Sequence, residues 1–151
     1  MIDGTLPARF ITFEGGEGVG KSTQISRVSD FLNTMSIEHI VTREPGGSPG
    51  GEEIRKLLVS GKPSRWDAET ETLLHFAARR DHLFKIIKPA LEKGCWVLSD
   101  RYVDSTFAYQ GYGHGVSLSV LQDIHNFIND ELNPDLTFIL DLPVDKGLER
   151  T

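Results

Sequence analysis

The chain has 151 residues, of which 38% are hydrophobic and 25% are charged, a balance typical of one folded domain and unlike that of disordered or fibrous chains. Its formal net charge of −6 argues against a basic face that follows a nucleic-acid backbone, so we expect no polymeric DNA or RNA as a partner. We expect no membrane association and a cytoplasmic location, because no run approaches the roughly 18 apolar residues of a membrane span and the N-terminus lacks a secretory pattern.

The first part of the chain is predicted to alternate strand, helix and strand. Arg9–Glu14 is a β-branched and aromatic run that leads directly into glycines, which is typical of a buried strand before a tight loop. Lys21–Met35 has apolar residues at helical spacing, and His39–Thr42 reads as a second strand. Because parallel neighbours need a long crossover connection, this order predicts a parallel sheet covered by helices.

The middle of the chain is predicted to be a loop followed by helices. Arg43–Gly51 is too rich in proline and glycine for a helix or a central strand, so it is predicted to be a turn or loop. Glu52–Ser60 is predicted to be a short helix. Asp67–Lys93 is predicted to be a long helical stretch that Pro89 kinks or divides.

The last part of the chain is predicted to add two strands and two helices. Cys95–Asp100 is the third strand and Leu136–Leu142 the fourth. The single cysteine excludes an internal disulfide, and we interpret it as a buried structural thiol. Helices are predicted over Ser117–Ile128 and from Asp145 to Thr151.

A phosphate-binding loop follows the first predicted strand. Gly15–Ser22 matches the pattern G-x-x-x-x-G-K-[ST] in full, between a strand and a helix. Its glycines let backbone N–H groups converge on phosphate oxygens, Lys21 neutralises β and γ oxygens, and Ser22 can ligate Mg²⁺. The predicted ligand is ATP, and the predicted ATP-binding residues are Gly15, Gly16, Glu17, Gly18, Val19, Gly20, Lys21, Ser22 and Thr23.

A second phosphate site is indicated by other charged residues. The loop alone does not name the reaction, because motors, GTPase switches and kinases share it, and we find neither the guanine reader nor the switch motif of GTPases. Asp100 and Arg101 follow the third strand, at the sheet edge where ligands of open α/β folds bind. Asp100 could hold Mg²⁺ and Arg101 could clamp a phosphate, the alternative being a helix-capping aspartate beside a surface arginine.

The chain resembles the bacterial thymidylate kinase family in four motifs, Phe13–Thr23, Thr42–Gly47, Asp100–Tyr102 and Ala108–Gly111. The resemblance implies a P-loop kinase fold, an α/β domain in which a parallel sheet lies between helices in three layers, with residues 1–151 as a single domain. It also implies transfer of the ATP γ-phosphoryl group to dTMP, which gives dTDP and ADP in dTTP synthesis, with Mg²⁺ and as a homodimer. The predicted long helix from Asp67 and the predicted helix over Ser117–Ile128 could pack between subunits, or their apolar faces could belong to the core.

The resemblance also assigns roles to individual residues. It implies that Lys21, Asp100 and Arg101 are catalytic, and that Ser22 and Asp100 hold Mg²⁺. The residues implied to bind dTMP are Glu17, Arg43, Glu44, Arg55, His75, Phe76, Arg79, Arg101, Thr106, Tyr109 and Gln110. Within this set Glu17 is assigned to the 3′-hydroxyl, Arg55 and Arg101 to the phosphate, and Arg79 to thymine O4. For Arg55 and Arg79 the alternative is a solvated surface charge.

The sequence departs from the family pattern in two respects. The position four residues before Arg79 is usually a phenylalanine that stacks on thymine, and here it is His75; the alternative is a rotated helix in which Phe76 stacks. We expect the chain to end before the mobile lid, and since Gly16–Val19 includes no basic residue, the resemblance implies that the catalytic arginine lies in that lid. Two functions therefore remain as alternatives, a kinase for another nucleoside monophosphate and a nucleotide-binding module without turnover.

Overall fold

A sheet of four parallel strands forms the centre of the computed structural model, which describes residues 7–62 and 64–150. The strands are β1 (Phe10–Glu14), β2 (His39–Arg43), β3 (Trp96–Asp100) and β4 (Leu136–Ile139), and their order across the sheet is β2-β3-β1-β4. The register pairs both Phe13 and Arg43 with Asp100. The carboxyl ends of β1, β2 and β3 therefore lie side by side, which confirms the predicted parallel sheet.

Seven α-helices and two π-helical segments occur within the described residues. The helices are α1 (Lys21–Thr34), α2 (Pro49–Val59), α3 (Ala68–His82), α4 (Lys88–Glu92), α5 (Val103–Thr106), α6 (Leu118–Asn129) and α7 (Val144–Leu148), and the π segments are Leu83–Ile87 and Phe107–Gly113. In this described part of the chain, no helix combines the length and the apolar composition that a membrane crossing requires.

Both faces of the sheet are covered, because successive side chains of a strand point to opposite faces. On one face Ile11 of β1 packs with Ile25 and Leu32 of α1. On the other face Phe10 packs with Leu83 of the first π segment. Burial of apolar side chains on both faces is the main favourable contribution to this arrangement. The three-layer α/β/α fold is thereby confirmed.

Helix α2 begins three residues earlier than predicted. The structure places Pro49 in its first turn, and the Ser48 hydroxyl accepts a hydrogen bond from the Gly51 N–H at 3.1 Å. Proline is favoured in the first helical turn because the N–H that it lacks has no partner there, and serine is a favoured N-cap. The prediction of a loop through Gly51 is therefore wrong over its last three residues.

The predicted long helix is divided, as the proline indicated. Asp67 caps α3, accepting a hydrogen bond from the Thr70 N–H at 2.6 Å. The π segment Leu83–Ile87 separates α3 from α4, and Pro89 lies in the first turn of α4. Proline removes one helical hydrogen bond and crowds the preceding turn, so the wider π geometry occurs directly before it.

The remaining boundaries differ by one to three residues. Strand β3 begins one residue after Cys95, whose side chain is only partly buried, contrary to the predicted burial. Strand β4 ends at Ile139, before the predicted Leu142. Helix α7 begins at Val144, and Thr151, the last residue of the predicted final helix, lies outside the described residues.

Candidate nucleotide-binding site

The phosphate loop lies between β1 and α1. Gly18 and Gly20 have φ angles of 68° and 96°, which glycine adopts without the steric penalty of a side chain. Helix α1 begins at Lys21, so N–H groups of its first turn have no partner within the helix and can bind an anion. The Lys21 Nζ donates to the carbonyl oxygens of Gly15 at 3.0 Å and Gly16 at 2.8 Å. A third N–H of this ammonium remains for a ligand.

Helix α7 packs directly on this loop through two facing glycines. A Cβ atom on Gly18 would overlap the Gly147 carbonyl, and a Cβ on Gly147 would lie 2.7 Å from the Glu17 carbonyl oxygen. Glycine is therefore required on both sides of the contact. Arg150, just after α7, lines the same cavity as the loop. The sequence analysis placed the basic residue for this site in a lid and did not identify Arg150.

Two adjoining cavities open at the carboxyl edge of the sheet. The larger, of about 630 Å³, adjoins the phosphate loop and contains cationic side chains, namely Lys21, Arg43, Arg55, Arg101 and Arg150. The smaller, of about 320 Å³, is lined by predicted base- and sugar-contacting residues, among them His75, Arg79, Thr106, Tyr109 and Gln110. Glu17, Glu44 and Arg101 line both cavities, which thus form one continuous cleft. Of the predicted ATP-binding residues, Gly15, Gly16, Val19 and Thr23 line neither cavity.

The residues present fit a divalent cation. Asp100 lies at the end of β3, and its buried Oδ1 has no hydrogen-bond partner within the described residues. A buried carboxylate oxygen without a partner is costly unless it binds a donor or a cation. Ser22 lines the same cavity as Asp100. Mg²⁺ prefers such oxygen ligands and needs few of them from the protein, because phosphate oxygens and waters complete its shell.

Arg101 lies where the loop and the end of β3 meet. Its Nη2 donates to the Glu17 carboxylate at 2.6 Å and its Nη1 donates to the Gly15 carbonyl at 3.0 Å. The guanidinium carbon is 5.4 Å from the centre of the Tyr109 ring. Burial and the positive charge of Arg101 lower the pKa of Lys21, against the opposing effect of nearby carboxylates. Two cations are thus held close together in one cleft, as expected for a site that binds more than one phosphate group.

Arg79 forms a buried ion pair in the wall of the smaller cavity. Its Nε donates to Glu44 Oε2 at 2.6 Å, and its Nη2 donates to the Tyr102 carbonyl at 3.1 Å and to the Thr106 hydroxyl at 2.9 Å. His82 Nδ1 lies 3.2 Å from the other Glu44 oxygen. Burial alone would raise the pKa of Glu44, but Arg79 and His82 hold it below its usual value. The alternative of a solvated surface charge is wrong for Arg79, which is 3% exposed.

The structure separates the two candidate stacking rings. Phe76 is 2% exposed and packs with Leu121 and Ile128 in the core, and it lines neither cavity. The rotated-helix alternative, with Phe76 in the site, is therefore wrong. His75 lines both cavities. Adjacent helical positions point about 100° apart, so only one of the two rings can face the cleft.

We expect His75 to make folding sensitive to acid. Burial, with a contribution from the positive charge of Arg79, lowers the pKa of His75 from 6.5 to about 4. Between these values the unfolded chain binds a proton that the folded protein does not, so the free energy of unfolding falls as pH falls through this window. From pH 7 to pH 4.5, the free energy of unfolding measured with urea should fall by about 2 kcal/mol more in wild type than in His75→Phe. Equal losses in the two proteins would contradict this assignment.

Glu71 and His114 line the cleft, although neither is in the predicted set of binding residues. Glu71 lines both cavities, and its Oε1 accepts a hydrogen bond from Gln110 Nε2 at 2.8 Å. His114 Nδ1 is 3.5 Å from the same oxygen. Glu71 precedes His75 by four residues on α3, which places both on one helix face. That spacing was the available signal for Glu71.

The arginines predicted at the acceptor phosphate differ in their surroundings. Arg55 donates from Nη1 to the Pro45 carbonyl at 2.7 Å, which orders its side chain in the wall of the larger cavity. Arg43 lines the same cavity, and its exposed guanidinium pairs with Glu52 at 3.1 Å. The predicted set is thus brought to one cleft, with Phe76 the exception among the residues assigned to dTMP.

The chain is similar to known proteins over most of its length. Residues 13–151 match the family model described as thymidylate kinase. The chain is 55% identical over 147 residues to thymidylate kinase of Nitrobacter hamburgensis, covering 97% of this chain and 64% of that protein. It is 53% identical over 141 residues to thymidylate kinase of Caulobacter vibrioides, covering 93% and 68% respectively. The chain thus spans slightly less than two thirds of the length of the Nitrobacter relative.

A solved structure extends the similarity to the fold. The crystal structure of thymidylate kinase from Ehrlichia chaffeensis superposes with a TM-score of 0.85 at 38% sequence identity, covering 96% of this chain and 82% of that chain. The sequence matches, this superposition and the phosphate loop in its strand-to-helix context point to the same conclusion: the chain belongs to the thymidylate kinase family.

Proposed function

We propose that the polypeptide containing this chain transfers the γ-phosphoryl group of ATP to dTMP, giving dTDP and ADP. The observation that carries this proposal is the continuous cleft in which Lys21 of the phosphate loop and Arg101 after β3 lie together. Donor and acceptor phosphates would meet there. Glu17 belongs to the loop and pairs with Arg101 at 2.6 Å, which supports one loop serving both substrates.

The reaction needs positioning and charge neutralisation more than proton transfer. A phosphate monoester near neutral pH already carries an anionic oxygen that can attack the γ-phosphorus, so no side chain has to deprotonate it. Lys21 would neutralise β and γ oxygens of ATP, while Arg55 and Arg101 would hold the acceptor phosphate. Arg150 lines the same cavity and would add a further positive charge.

Mg²⁺ is part of the proposed reaction. Ser22 and Asp100 would hold it, on the evidence of the unpartnered Asp100 Oδ1 and the shared cavity. When bound, Mg²⁺ would neutralise charge on the ATP phosphates. Asp100 would keep the ion beside Lys21, since both side chains line the larger cavity.

The smaller cavity is proposed to hold the base and the sugar. Thr106 and Gln110 would approach the base edge, Arg79 would reach thymine O4 and Tyr109 would crowd the sugar 2′ position. All four residues line that cavity. Three of them are also held by polar protein partners, since Arg79 pairs with Glu44 and donates to Thr106, and Gln110 donates to Glu71. These partners would hold the polar groups in fixed orientations for base recognition.

His75→Phe should bind dTMP more tightly than wild type does. His75 faces the cleft and is neutral at pH 7, because its pKa is lowered to about 4. Phenylalanine offers a larger stacking surface, and aromatic pairs contribute roughly 0.5–1.5 kcal/mol beyond area burial. Calorimetry should therefore show a dissociation constant lower by about 2- to 10-fold. Deoxyribose 5-phosphate, which lacks the base, should show no gain; an unchanged constant for dTMP would argue against stacking at this position.

Substrate choice tests the proposal against its alternatives. A coupled assay of ADP release with dTMP, dUMP, dCMP and dGMP should give the greatest turnover with dTMP. Equal or greater turnover with dGMP would favour a kinase for another monophosphate. Binding of ATP and dTMP without ADP release by the full polypeptide would favour a nucleotide-binding module.

We also propose that the polypeptide forms a homodimer. Helices α3 and α6 contact each other, and both carry exposed apolar side chains, including Leu73, Val120 and Phe127, the last of which is 86% exposed. Exposed apolar patches of this kind are typical of contact surfaces. Sedimentation velocity on the full polypeptide measures the state directly. The cytoplasmic location stays a prediction from the sequence.

A further inference from the structure

Glu14 is a buried carboxylate beside the cleft, and the proposed reaction does not use it. It is the last residue of β1 and is 4% exposed. Its Oε1 accepts a hydrogen bond from the Tyr102 N–H at 2.7 Å, and its Oε2 accepts one from the Ser105 hydroxyl at 2.6 Å. Both carboxylate oxygens thus accept hydrogen bonds from residues that closely follow Arg101 in the chain.

Ser105 connects Glu14 to the Arg101 side chain. A serine hydroxyl has one proton, and here that proton is donated to Glu14. The Ser105 oxygen therefore presents a lone pair to the Arg101 Nη1, which donates to it at 3.0 Å. The other Nη1 contact is with the Gly15 carbonyl at 3.0 Å. The direction of each hydrogen bond is fixed by Glu14 as an acceptor at one end and Arg101 as a donor at the other.

Tyr102 connects Glu14 to the Arg101 backbone. Arg101 has a φ of 72°, a left-handed conformation that is strained for a residue with a side chain. Its N–H donates to the Phe13 carbonyl at 2.9 Å, and its carbonyl accepts from the Ser99 hydroxyl at 2.8 Å. The Glu14 bond to the next N–H, that of Tyr102, completes the set of contacts that holds this turn.

We propose that Glu14 is a positioning residue, which fixes Arg101 through Ser105 and the Tyr102 N–H so that the guanidinium faces the acceptor phosphate. Its role in phosphate binding rests on the proposed function, whereas its effect on the Arg101 side chain does not. Glu14 itself need not contact substrate, because both of its oxygens are occupied by protein donors.

Glu14→Gln is the direct test, because the amide cannot accept at both positions. If its NH₂ faces Tyr102, two donors oppose each other; if its NH₂ faces Ser105, the serine proton is turned toward Arg101. The loss of one hydrogen bond to a charged group is worth about one order of magnitude in binding. Calorimetry on this chain should show dTMP binding weakened by roughly 10-fold, while thymidine, which has no phosphate, should bind as it does to wild type.

Ser105 supplies the variants that separate positioning from loss of structure. Ser105→Ala should weaken dTMP binding similarly, Ser105→Thr should restore it because the hydroxyl is kept, and Glu14→Gln/Ser105→Ala should be no worse than the more affected single variant. Asp135→Asn is the matched control: Asp135 also accepts from a backbone N–H, that of Phe10 at 2.8 Å, at the opposite end of β1. It should leave the dissociation constant unchanged.

A measurement without substrate keeps the two proposals distinguishable. NMR of the Arg101 guanidinium should show slowly exchanging Nη protons in wild type and Ser105→Thr, and broadened signals in Glu14→Gln and Ser105→Ala. If wild type binds no dTMP, the proposed function fails while these signals still decide the role of Glu14. Unchanged Arg101 signals and unchanged dTMP affinity in folded Ser105→Ala would overturn the positioning role, and Ser105→Ala decides the matter if Glu14→Gln does not fold.

Discussion

Replacing Arg79 by leucine should lower the free energy of unfolding by roughly 3–5 kcal/mol, the usual cost of breaking a buried ion pair from one side. Arg79 and Glu44 are 3% and 6% exposed, and their side chains are joined at 2.6 Å. Leucine fills part of the space but leaves Glu44 as a buried carboxylate with only His82 beside it. The uncompensated charge accounts for most of the expected loss, which urea unfolding measures.

The control for Arg79→Leu is the same substitution in an exposed pair. Arg9 pairs with Asp135 at 2.8 Å, and both side chains are more than a third exposed, so Arg9→Leu should change the free energy of unfolding by less than about 1 kcal/mol. The loss in Arg79→Leu should also be larger at pH 8 than at pH 5, because the isolated Glu44 can take up a proton at the lower pH. Similar losses for both variants, or a loss independent of pH, would refute the buried-charge explanation.

The fold was largely predictable from the sequence because its signals are local. The apolar run that ends at Glu14, the glycines after it and the helical spacing from Lys21 each depend on neighbouring residues. The types of the elements were predicted correctly. The predicted start of α2 was wrong because the Ser48 cap and Pro49 begin this helix inside a segment rich in proline and glycine. The division of the long helix could be predicted because proline acts on its own turn.

The residues of the site were predictable only where a sequence motif or the family resemblance included them. Arg150 lines the larger cavity because α7 packs on the phosphate loop through Gly18 and Gly147, a contact across more than a hundred residues of chain. The sequence identified Glu14 only as the last residue of a strand. Its hydrogen bond with Ser105 could not be predicted, because the tertiary structure brings these two residues together. The choice between His75 and Phe76 depended on how α3 is rotated on the core, which tertiary packing determines.

Replacing Lys21 by methionine should lower the rate of phosphoryl transfer in the full polypeptide by roughly 10²–10³-fold, the usual cost of removing one group that stabilises developing charge. Methionine keeps most of the apolar stem but removes the ammonium that lines the larger cavity. The Lys21 Nζ also donates to the carbonyl oxygens of Gly15 and Gly16, which holds its positive charge within the phosphate loop. Single-turnover kinetics with saturating ATP and dTMP measures the chemical step.

The matched control for Lys21→Met is Lys56→Met, which removes an exposed lysine from α2 and should leave the rate unchanged. Because Lys21 is proposed to bind the ATP phosphates and Arg101 the acceptor phosphate, dTMP affinity should change much less in Lys21→Met than the rate does. A loss confined to ATP affinity, with the single-turnover rate intact at saturation, would mean that Lys21 contributes equally to ground state and transition state. The assignment of Lys21 as a catalytic residue would then be wrong, and the positive charge that acts on the transferring group would have to come from Arg101, Arg150 or another part of the polypeptide.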